Sequence, residues 1–186
     1  MSRLEIEVGF HAVTARGSRS ATEDLPGGAL VGCSPADLWQ AVLGAVERAG
    51  TADATVATLA ADLAWMLWDR DTLGSPTSCA ASPRSVSERE PRTWDLVLDG
   101  TYALGTVDSY LIARMTRGLE HVTDLPQAMA TGLLDDGTWS SEHCAAAGVP
   151  LDALPEIVPS GRELGTTDPA TFLGLRLPIL TAPRSA

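Results

Sequence analysis

The sequence Gly105-Thr106-Val107-Asp108-Ser109-Tyr110-Leu111-Ile112 is the stretch around which the rest of the chain is organised. It places a hydroxyl side chain before a run of apolar residues, which predicts a helix over residues 106–115 opened by a hydroxyl cap. After a turn, the segment His121-Val122-Thr123-Asp124 leads into another apolar run. The pattern therefore predicts a helix, a turn and a second ordered segment in close succession.

The composition is that of a folded protein with an acidic surface. Of the 186 residues, 45% are hydrophobic and 20% are charged, and the formal net charge is -11. A chain of this length corresponds to one ordinary domain with a substantial core. Because an acidic surface repels the phosphate backbone, a nucleic-acid partner is not expected.

Targeting and cysteine signals point to a reduced, cytoplasmic protein. The charged N-terminus does not resemble a signal peptide, and no apolar run approaches the roughly 18 residues of a membrane span. The three cysteines, Cys33, Cys79 and Cys144, are far apart and show no metal-ligand spacing. We therefore expect free thiols, with no zinc site, no disulfide framework and no membrane contact.

Local patterns predict several elements in the N-terminal half. Alternating apolar and charged residues over 4–8 indicate a strand, whereas residues 9–33 have the composition of a loop. A capped apolar stripe predicts a helix over residues 35–49. Residues 56–68 are almost continuously apolar and fit either a buried helix or buried strands. Residues 74–93, rich in Ser, Pro and Arg, are the best candidate for a mobile linker.

Further elements follow in the second half of the chain. Residues 94–98 alternate weakly and suggest a strand. Ser140 is a candidate cap for a short helix through about Ala147. A short helix and an extended exit are expected over residues 150–159, and residues 172–180 are expected to supply one strand.

Short motifs of the C-terminal half form a collinear series. After residues 105–112, the series comprises Met115-Thr116-Arg117-Gly118, His121-Val122-Thr123-Asp124, Thr138-Trp139, Gly148-Val149-Pro150, Leu154-Pro155-Glu156-Ile157, Pro159-Ser160 and Leu164-Gly165-Thr166-Thr167. In order and spacing it resembles glycerol kinases and their relatives in the FGGY family of carbohydrate kinases. Trp68-Asp69-Arg70-Asp71-Thr72 is similar, more faintly, to a hairpin of the same family.

The resemblance implies an α/β fold, a shortened form of the family's ribonuclease-H-like N-terminal domain with a mixed sheet and flanking helices. Residues 1–186 are then a single degenerate domain, and the family's nucleotide-binding C-terminal domain is expected to be absent. In the family, the reaction is the phosphorylation of a polyol or sugar, with ATP and magnesium as cofactors. The ligand that the resemblance implies for this chain is a small polyol or another small molecule.

The segments that perform the family's chemistry depart from its pattern. Such kinases open with an Asp-x-Gly-Thr-Thr-Ser hairpin that binds the ATP phosphates, whereas this chain has Gly9-Phe10-His11-Ala12-Val13. Where glycerol kinases carry an Asn-Gln-Arg-Glu segment for the triol, this chain has Asp62-Leu63-Ala64-Trp65. The sequence also stops after the strand expected at residues 177–182, before the family's general base. Kinase activity and bound cofactors are therefore not expected.

Three carboxylates are candidates for catalytic work, namely Asp62, Asp108 and Asp124. Two of them brought together could exchange protons. The alternative interpretation is structural, with Asp108 in the first turn of a helix and Asp124 bonded to a neighbouring turn. His121 could titrate near neutral pH, although a single His beside a turn is more often a solvated or hydrogen-bonded surface residue.

Three hypotheses about function remain open from the sequence. The first is a glycerol-kinase-like protein that is catalytically incomplete for ATP-dependent phosphorylation. The second is a repurposed enzyme of a bacterial pathway that performs proton transfer or cyclisation in the former sugar cleft. The third is a non-catalytic module that binds a partner chain or a second copy. By the resemblance, the chain lacks a family segment between Glu88 and Trp94, and such a deletion would leave sheet edges and apolar faces exposed for the partner.

Overall fold

The computed structural model describes residues 2–159 and 161–181. Two motif positions of the sequence analysis, Ser160 and Ala182, lie outside these ranges. The strands are β1 (Ser2–Val8), β2 (Ala12–Arg16), β3 (Ser20–Asp24), β4 (Ala54–Ala61), β5 (Trp65–Asp69), β6 (Tyr102–Thr106), β7 (Val122–Asp124), β8 (Leu134–Asp135), β9 (Thr138–Trp139), β10 (Glu156–Val158), β11 (Glu163–Thr166) and β12 (Pro178–Thr181). The helices are α1 (Pro35–Ala49), α2 (Pro83–Arg89), α3 (Pro91–Leu98), α4 (Val107–Met115), α5 (Leu125–Ala130) and α6 (Ser141–Ala147), with a 3-10 turn at Leu151–Ala153.

The largest sheet is mixed and has six strands in the order β11-β12-β4-β1-β2-β3. Its centre is parallel, since β4 runs parallel to both β1 and β12, and the outer pairs are antiparallel. Helix α1 packs on β1, β2 and β3, and α4 packs on β4. Three two-stranded pairs, β5 with β6, β7 with β10 and β8 with β9, complete the sheet structure of the described residues.

Helix α1 forms where its local signals predict it. The Ser34 hydroxyl accepts a hydrogen bond from the Asp37 amide at 3.1 Å, Pro35 occupies the first turn, and Gly50 ends the helix at a φ of 73°. Its buried face is an apolar stripe that covers the sheet, which is the arrangement that helical periodicity favours. The predicted helix over residues 35–49 is confirmed.

The apolar run over residues 56–68 forms strands, which settles the choice the sequence left open. Its first part lies in β4, the central strand between β1 and β12, and its second part in β5. A strand with neighbours on both sides and layers on both faces is apolar throughout, so alternation disappears.

Two predictions about secondary structure are wrong. Residues 9–33 were expected to be loop but contain β2 and the edge strand β3, in which Ser20, Thr22 and Asp24 are exposed. Residues 94–98 were expected to form a strand but lie in α3, where Pro91 starts the helix and Trp94 and Val97 are buried three positions apart. The helix spacing of these two residues outweighs the weak alternation.

The segment over residues 74–93 contains more secondary structure than a linker. Ser82 caps α2 by accepting from the Ser85 amide at 3.2 Å, and Cys79 and Ala80 are both 1% exposed. Mobility of the segment stays a prediction.

Buried apolar residues form two clusters. One lies between the six-stranded sheet and helices α1 and α4, and the other lies around β5, β6, α3 and α6.

The helices of the described residues are short. Within residues 2–159 and 161–181, none is both long enough and apolar enough to cross a membrane. The predicted helix of residues 106–115, the helix after Ser140 and the strand within 172–180 are confirmed by α4, α6 and β12.

Candidate functional site

Asp108 lies in the first turn of α4 and is fully buried among hydroxyl groups. Its Oδ2 accepts a hydrogen bond from Thr123 Oγ1 at 2.7 Å, and its Oδ1 accepts one from Thr106 Oγ1. Thr106 occupies the cap position of α4, but its hydroxyl serves Asp108 and not a backbone amide. The Thr106 cap expected from the sequence is therefore replaced by a bond between side chains.

The buried position of Asp108 changes its acidity. Burial raises the pKa of Asp108 to about 6, because loss of water disfavours the charged form more than the Thr106 and Thr123 hydrogen bonds favour it. The nearby charge of Asp124 raises the pKa further. A perturbed carboxyl of this kind is a candidate for proton transfer, but structural networks produce the same shift.

Asp124 begins α5 and is buried beside Asp108. Its Oδ1 accepts a hydrogen bond from the Gln127 amide at 2.7 Å, which makes it the N-cap of the helix. The structure thus brings together two of the three predicted carboxylates, Asp108 and Asp124. Asp108 accepts hydrogen bonds from two threonine hydroxyls and Asp124 caps α5, and these structural roles account for their burial.

Asp62 lies elsewhere, at the carboxyl end of β4. Its amide donates to Val8 O at 2.7 Å, and a Cβ placed on Gly9 would lie 3.9 Å from its Oδ2. In open α/β sheets, ligands bind beyond the carboxyl ends of parallel strands, and Asp62 and Gly9 follow the parallel strands β4 and β1 at that edge. No hydrogen bond among the described residues joins Asp62 to Asp108.

The turn between β1 and β2 occupies the same edge of the sheet. Gly9 N donates to Ala12 O at 2.9 Å, which leaves Phe10 and His11 as the two turn residues. Phe10 is 51% exposed, and the His11 ring is hydrogen-bonded to Gly28 O at 2.6 Å. The turn therefore presents an apolar ring and a bound imidazole, and no side-chain carboxylate or hydroxyl.

His121 is not the solvated surface residue that the sequence suggested. Its ring packs edge-on against Trp68 at 5.2 Å, and its Nε2 is buried with no hydrogen-bond partner in the described part of the chain. Burial lowers the pKa of His121 to about 4, and the positive charge of Arg70 acts in the same direction. The distant Trp68 and the strand pairing of β7 bury this ring, and neither is visible as a local signal in the sequence.

A shallow pocket of about 250 Å³ lies at the C-terminal end of α4 and was not anticipated from the sequence. Its charged lining residues are Glu120, Glu163, Asp168 and Arg176. Thr116, which also lines it, is eight residues from Asp108, so the pocket and the buried carboxylate are separated by about 12 Å along the helix axis. No group of three or more His, Cys, Asp or Glu side chains suited to a metal ion occurs in residues 2–159 and 161–181.

Comparison with known proteins agrees with the observed architecture and with the motif series in the sequence. A family model described as the N-terminal domain of the FGGY family of carbohydrate kinases matches residues 88–182. Glycerol kinase of Xanthobacter autotrophicus is 38% identical over 106 residues, 56% of this chain and 21% of that protein. Glycerol kinase 5 of Danio rerio is 35% identical over 92 residues, 48% of this chain and 17% of that protein.

Solved structures share the fold over almost the whole chain. The crystal structure of Plasmodium falciparum glycerol kinase with ADP superposes with a TM-score of 0.77 at 13% identity, covering 97% of this chain and 48% of that one. Xylulose kinase of Rhodospirillum rubrum gives a TM-score of 0.73 at 19% identity, with 98% and 49% covered. The chain spans about half the length of these solved kinases. The predicted α/β class, a mixed sheet with flanking helices, is confirmed.

Proposed function

This chain belongs to the FGGY family of carbohydrate kinases, and from that premise we propose that it is a glycerol-kinase-like member that does not itself transfer a phosphoryl group from ATP to glycerol. The observation that carries the proposal is the turn between β1 and β2. Phosphoryl transfer relies on positioned donors and charges around the phosphates. A tight turn made by Phe10 and His11 supplies neither a carboxylate for magnesium nor a hydroxyl for phosphate.

The residues present do not fit the ATP and magnesium that the resemblance implies. The Gly9 amide is already bonded to Ala12 O, and the His11 ring to Gly28 O. Phe10 occupies the exposed corner of the turn, where its ring offers no hydrogen-bond donor. No step of phosphoryl transfer is therefore assigned to this turn.

The segment that would bind a polyol supports the same proposal. Ala64, Trp65, Met66 and Leu67 follow Asp62 and are each 4% exposed or less, packed in the two apolar clusters. Recognition of several hydroxyls requires charged or polar side chains with more than one hydrogen bond each. At this place Asp62 is the one polar side chain, so specific binding of glycerol is not expected.

The test is ATP-dependent phosphorylation of glycerol by the purified 186-residue chain, measured as ADP formation with a complete glycerol kinase as positive control. We expect no more ADP with glycerol than without it, and no rise in the melting temperature with glycerol, ATP or ADP, because a ligand of the folded state would raise it. Glycerol-dependent ADP formation that is lost in Asp62→Asn and retained in Asp95→Asn, an exposed carboxylate on α3, would overturn the proposal.

A role in binding another chain is the alternative with a specific observation in its favour. Leu119 and Met129 are 79% and 63% exposed, the most exposed large apolar side chains among the described residues, and a partner chain would remove them from water. The repurposed enzyme has less support, since both oxygens of Asp108 are hydrogen-bonded by threonine hydroxyls and the side chain is buried.

A further inference from the structure

Cys33 and Cys79 lie side by side although they are 46 positions apart in the sequence. The Cys79 amide donates to Cys33 O at 2.9 Å, and the Gly32 amide donates to Cys79 O at 2.8 Å. With standard bond lengths, the one hydrogen bond that joins Cys79 N to Cys33 O keeps the two Cα atoms within roughly 6.5 Å, inside the range that a disulfide spans. Both side chains belong to the same apolar cluster, and each thiol lies within electrostatic range of the other.

The Cys79 segment connects the two halves of the core. Ala80 pairs with Trp65 through two backbone hydrogen bonds of 2.7 and 2.8 Å, which attaches the segment to β5. Cys79 contributes to the first apolar cluster, whereas Ala80 contributes to the second. A covalent bond from Cys79 to Cys33 would therefore link the residues just before α1 to the segment that contributes to both clusters.

We propose that Cys33 and Cys79 are a site of disulfide formation by exchange with a low-molecular-weight disulfide such as oxidised glutathione. One thiolate attacks the small disulfide and releases one glutathione thiol. The second thiolate then attacks the mixed disulfide, forms the Cys33–Cys79 bond and releases the second glutathione thiol. Two protein thiols are oxidised, and one disulfide is reduced to two thiols.

Burial controls when this exchange takes place. Cys33 and Cys79 are 2% and 1% exposed in the structure, where all three cysteines are free thiols. Burial raises the pKa of the Cys33 thiol and raises that of Cys79 to about 12, so the reactive thiolate is scarce in the closed fold. Exchange thus requires opening of the segment around Cys79, or it proceeds while the chain folds.

Cys144 provides an internal control. It is also a buried free thiol with a raised pKa caused by burial, but it packs in the second cluster, on α6. If thiol content alone governed oxidation, each of the three possible cysteine pairs would form at a similar yield. Oxidation governed by the fold would leave Cys144 unpaired.

The experiment is refolding of the chain in a buffer of reduced and oxidised glutathione, followed by tryptic digestion without reduction and mass spectrometry. Cleavage after arginine places Cys33 in peptide 20–48, Cys79 in 71–84 and Cys144 in 118–162. We expect a cross-link between 20–48 and 71–84 in the wild type and in Cys144→Ser, and none in Cys33→Ser or Cys79→Ser. The oxidised Cys144→Ser chain should melt roughly 5–15 °C higher than the same chain reduced, since the bond closes a long loop.

Two results would overturn the proposal. One is a mixture of cross-links that includes peptide 118–162 at a similar yield, and the other is the persistence of free thiols at Cys33 and Cys79. The circular dichroism of reduced Cys144→Ser establishes that this chain is folded. If refolding is poor, natively purified Cys144→Ser is treated with oxidised glutathione in mild urea, and absence of the cross-link there would equally contradict the inference.

Discussion

Within one fold, the first turn of α4 contains a buried carboxylate, whereas the turn between β1 and β2 contains none. Around α4, the motif of residues 105–112 keeps a buried carboxylate, Asp108, held by two threonine hydroxyls. Between β1 and β2, the chain has a tight turn with an exposed Phe10 and no carboxylate. The first region is packed in the interior, whereas the second is a surface turn, where changes of sequence are tolerated more readily. The two turns therefore differ in role. The first contributes to the packed interior, and the second lacks the groups that phosphoryl transfer would need.

The largest effect is expected from removing the carboxylate of the α4 region. Asp108→Ala leaves the hydroxyls of Thr106 and Thr123 buried without their acceptor, which should lower the free energy of unfolding by about 3 kcal/mol. Urea denaturation at pH 5 measures this change, because Asp108 is protonated in the folded chain below its pKa of about 6 and the substitution then removes no buried charge. Asp95→Ala, at an exposed position on α3, is the matched control and should stay within about 0.5 kcal/mol of the wild type. Equal effects of the two substitutions would show that the Asp108 network does not stabilise the fold.

The pH dependence of stability should reveal two opposed groups near α4. The folded-state pKa of Asp108, about 6, lies above its ordinary value of 3.8, so its contribution is present below about pH 4 and is lost as the pH rises through 6. The folded-state pKa of His121, about 4, lies below its ordinary value of 6.5, so its contribution is present above pH 6.5 and is lost as the pH falls to 4. Each amounts to about 3 kcal/mol, and in the wild type they largely cancel.

Single variants should separate these two contributions. Relative to the wild type, Asp108→Asn should lose about 3 kcal/mol of unfolding free energy between pH 6.5 and 4, because it lacks the group that gains stability in acid. His121→Phe should gain a similar amount over the same range. The measurement is urea denaturation at half-unit steps of pH. Differences from the wild type that do not vary with pH would contradict both assignments.

A smaller effect is expected from adding one methyl group in each region. A Cβ on Gly105 would overlap the Ser109 Oγ and lie 3.0 Å from Trp68 Cη2, and both neighbours are buried and cannot move aside. Gly105→Ala should therefore cost about 2 kcal/mol of unfolding free energy. Gly9→Ala, in the β1–β2 turn, meets no atom closer than 3.5 Å and should change stability by less than about 1 kcal/mol, in the stabilising direction. A greater loss for Gly9→Ala would reverse the comparison of the two regions.

Much of the local structure follows from the sequence. Ser34, Ser82 and Ser140 each accept a hydrogen bond from an amide three residues on, and such caps involve neighbours in the chain alone. Two of these caps, Ser34 and Ser140, were predicted. Helix α3 was not, since the five residues 94–98 fit either period and the choice between helix and strand depends on which side chains the second cluster buries.

The candidate site was predictable in part. The sequence singled out Asp108 and Asp124 as a pair and offered for Asp124 the bond to a neighbouring turn that its side chain makes, but it did not anticipate the Thr106 and Thr123 partners of Asp108. It did not place Asp62 at a separate edge of the sheet, and it left His121 on the surface. Those two positions depend on the parallel pairing of β1 with β4 and on the contact with Trp68, both of which join residues far apart in the chain.

The sequence by itself determined the family, through the ordered motifs around residues 105–112, and the ends of α1 and α6, through their serine caps and closing glycines. These features can be predicted from the sequence because they depend on residues that are close together in the chain. The tertiary structure alone decided the raised pKa of Asp108, the buried ring of His121 and the proximity of Cys33 to Cys79. Burial and contact between distant segments are properties of the packed chain, and no short stretch of residues specifies them.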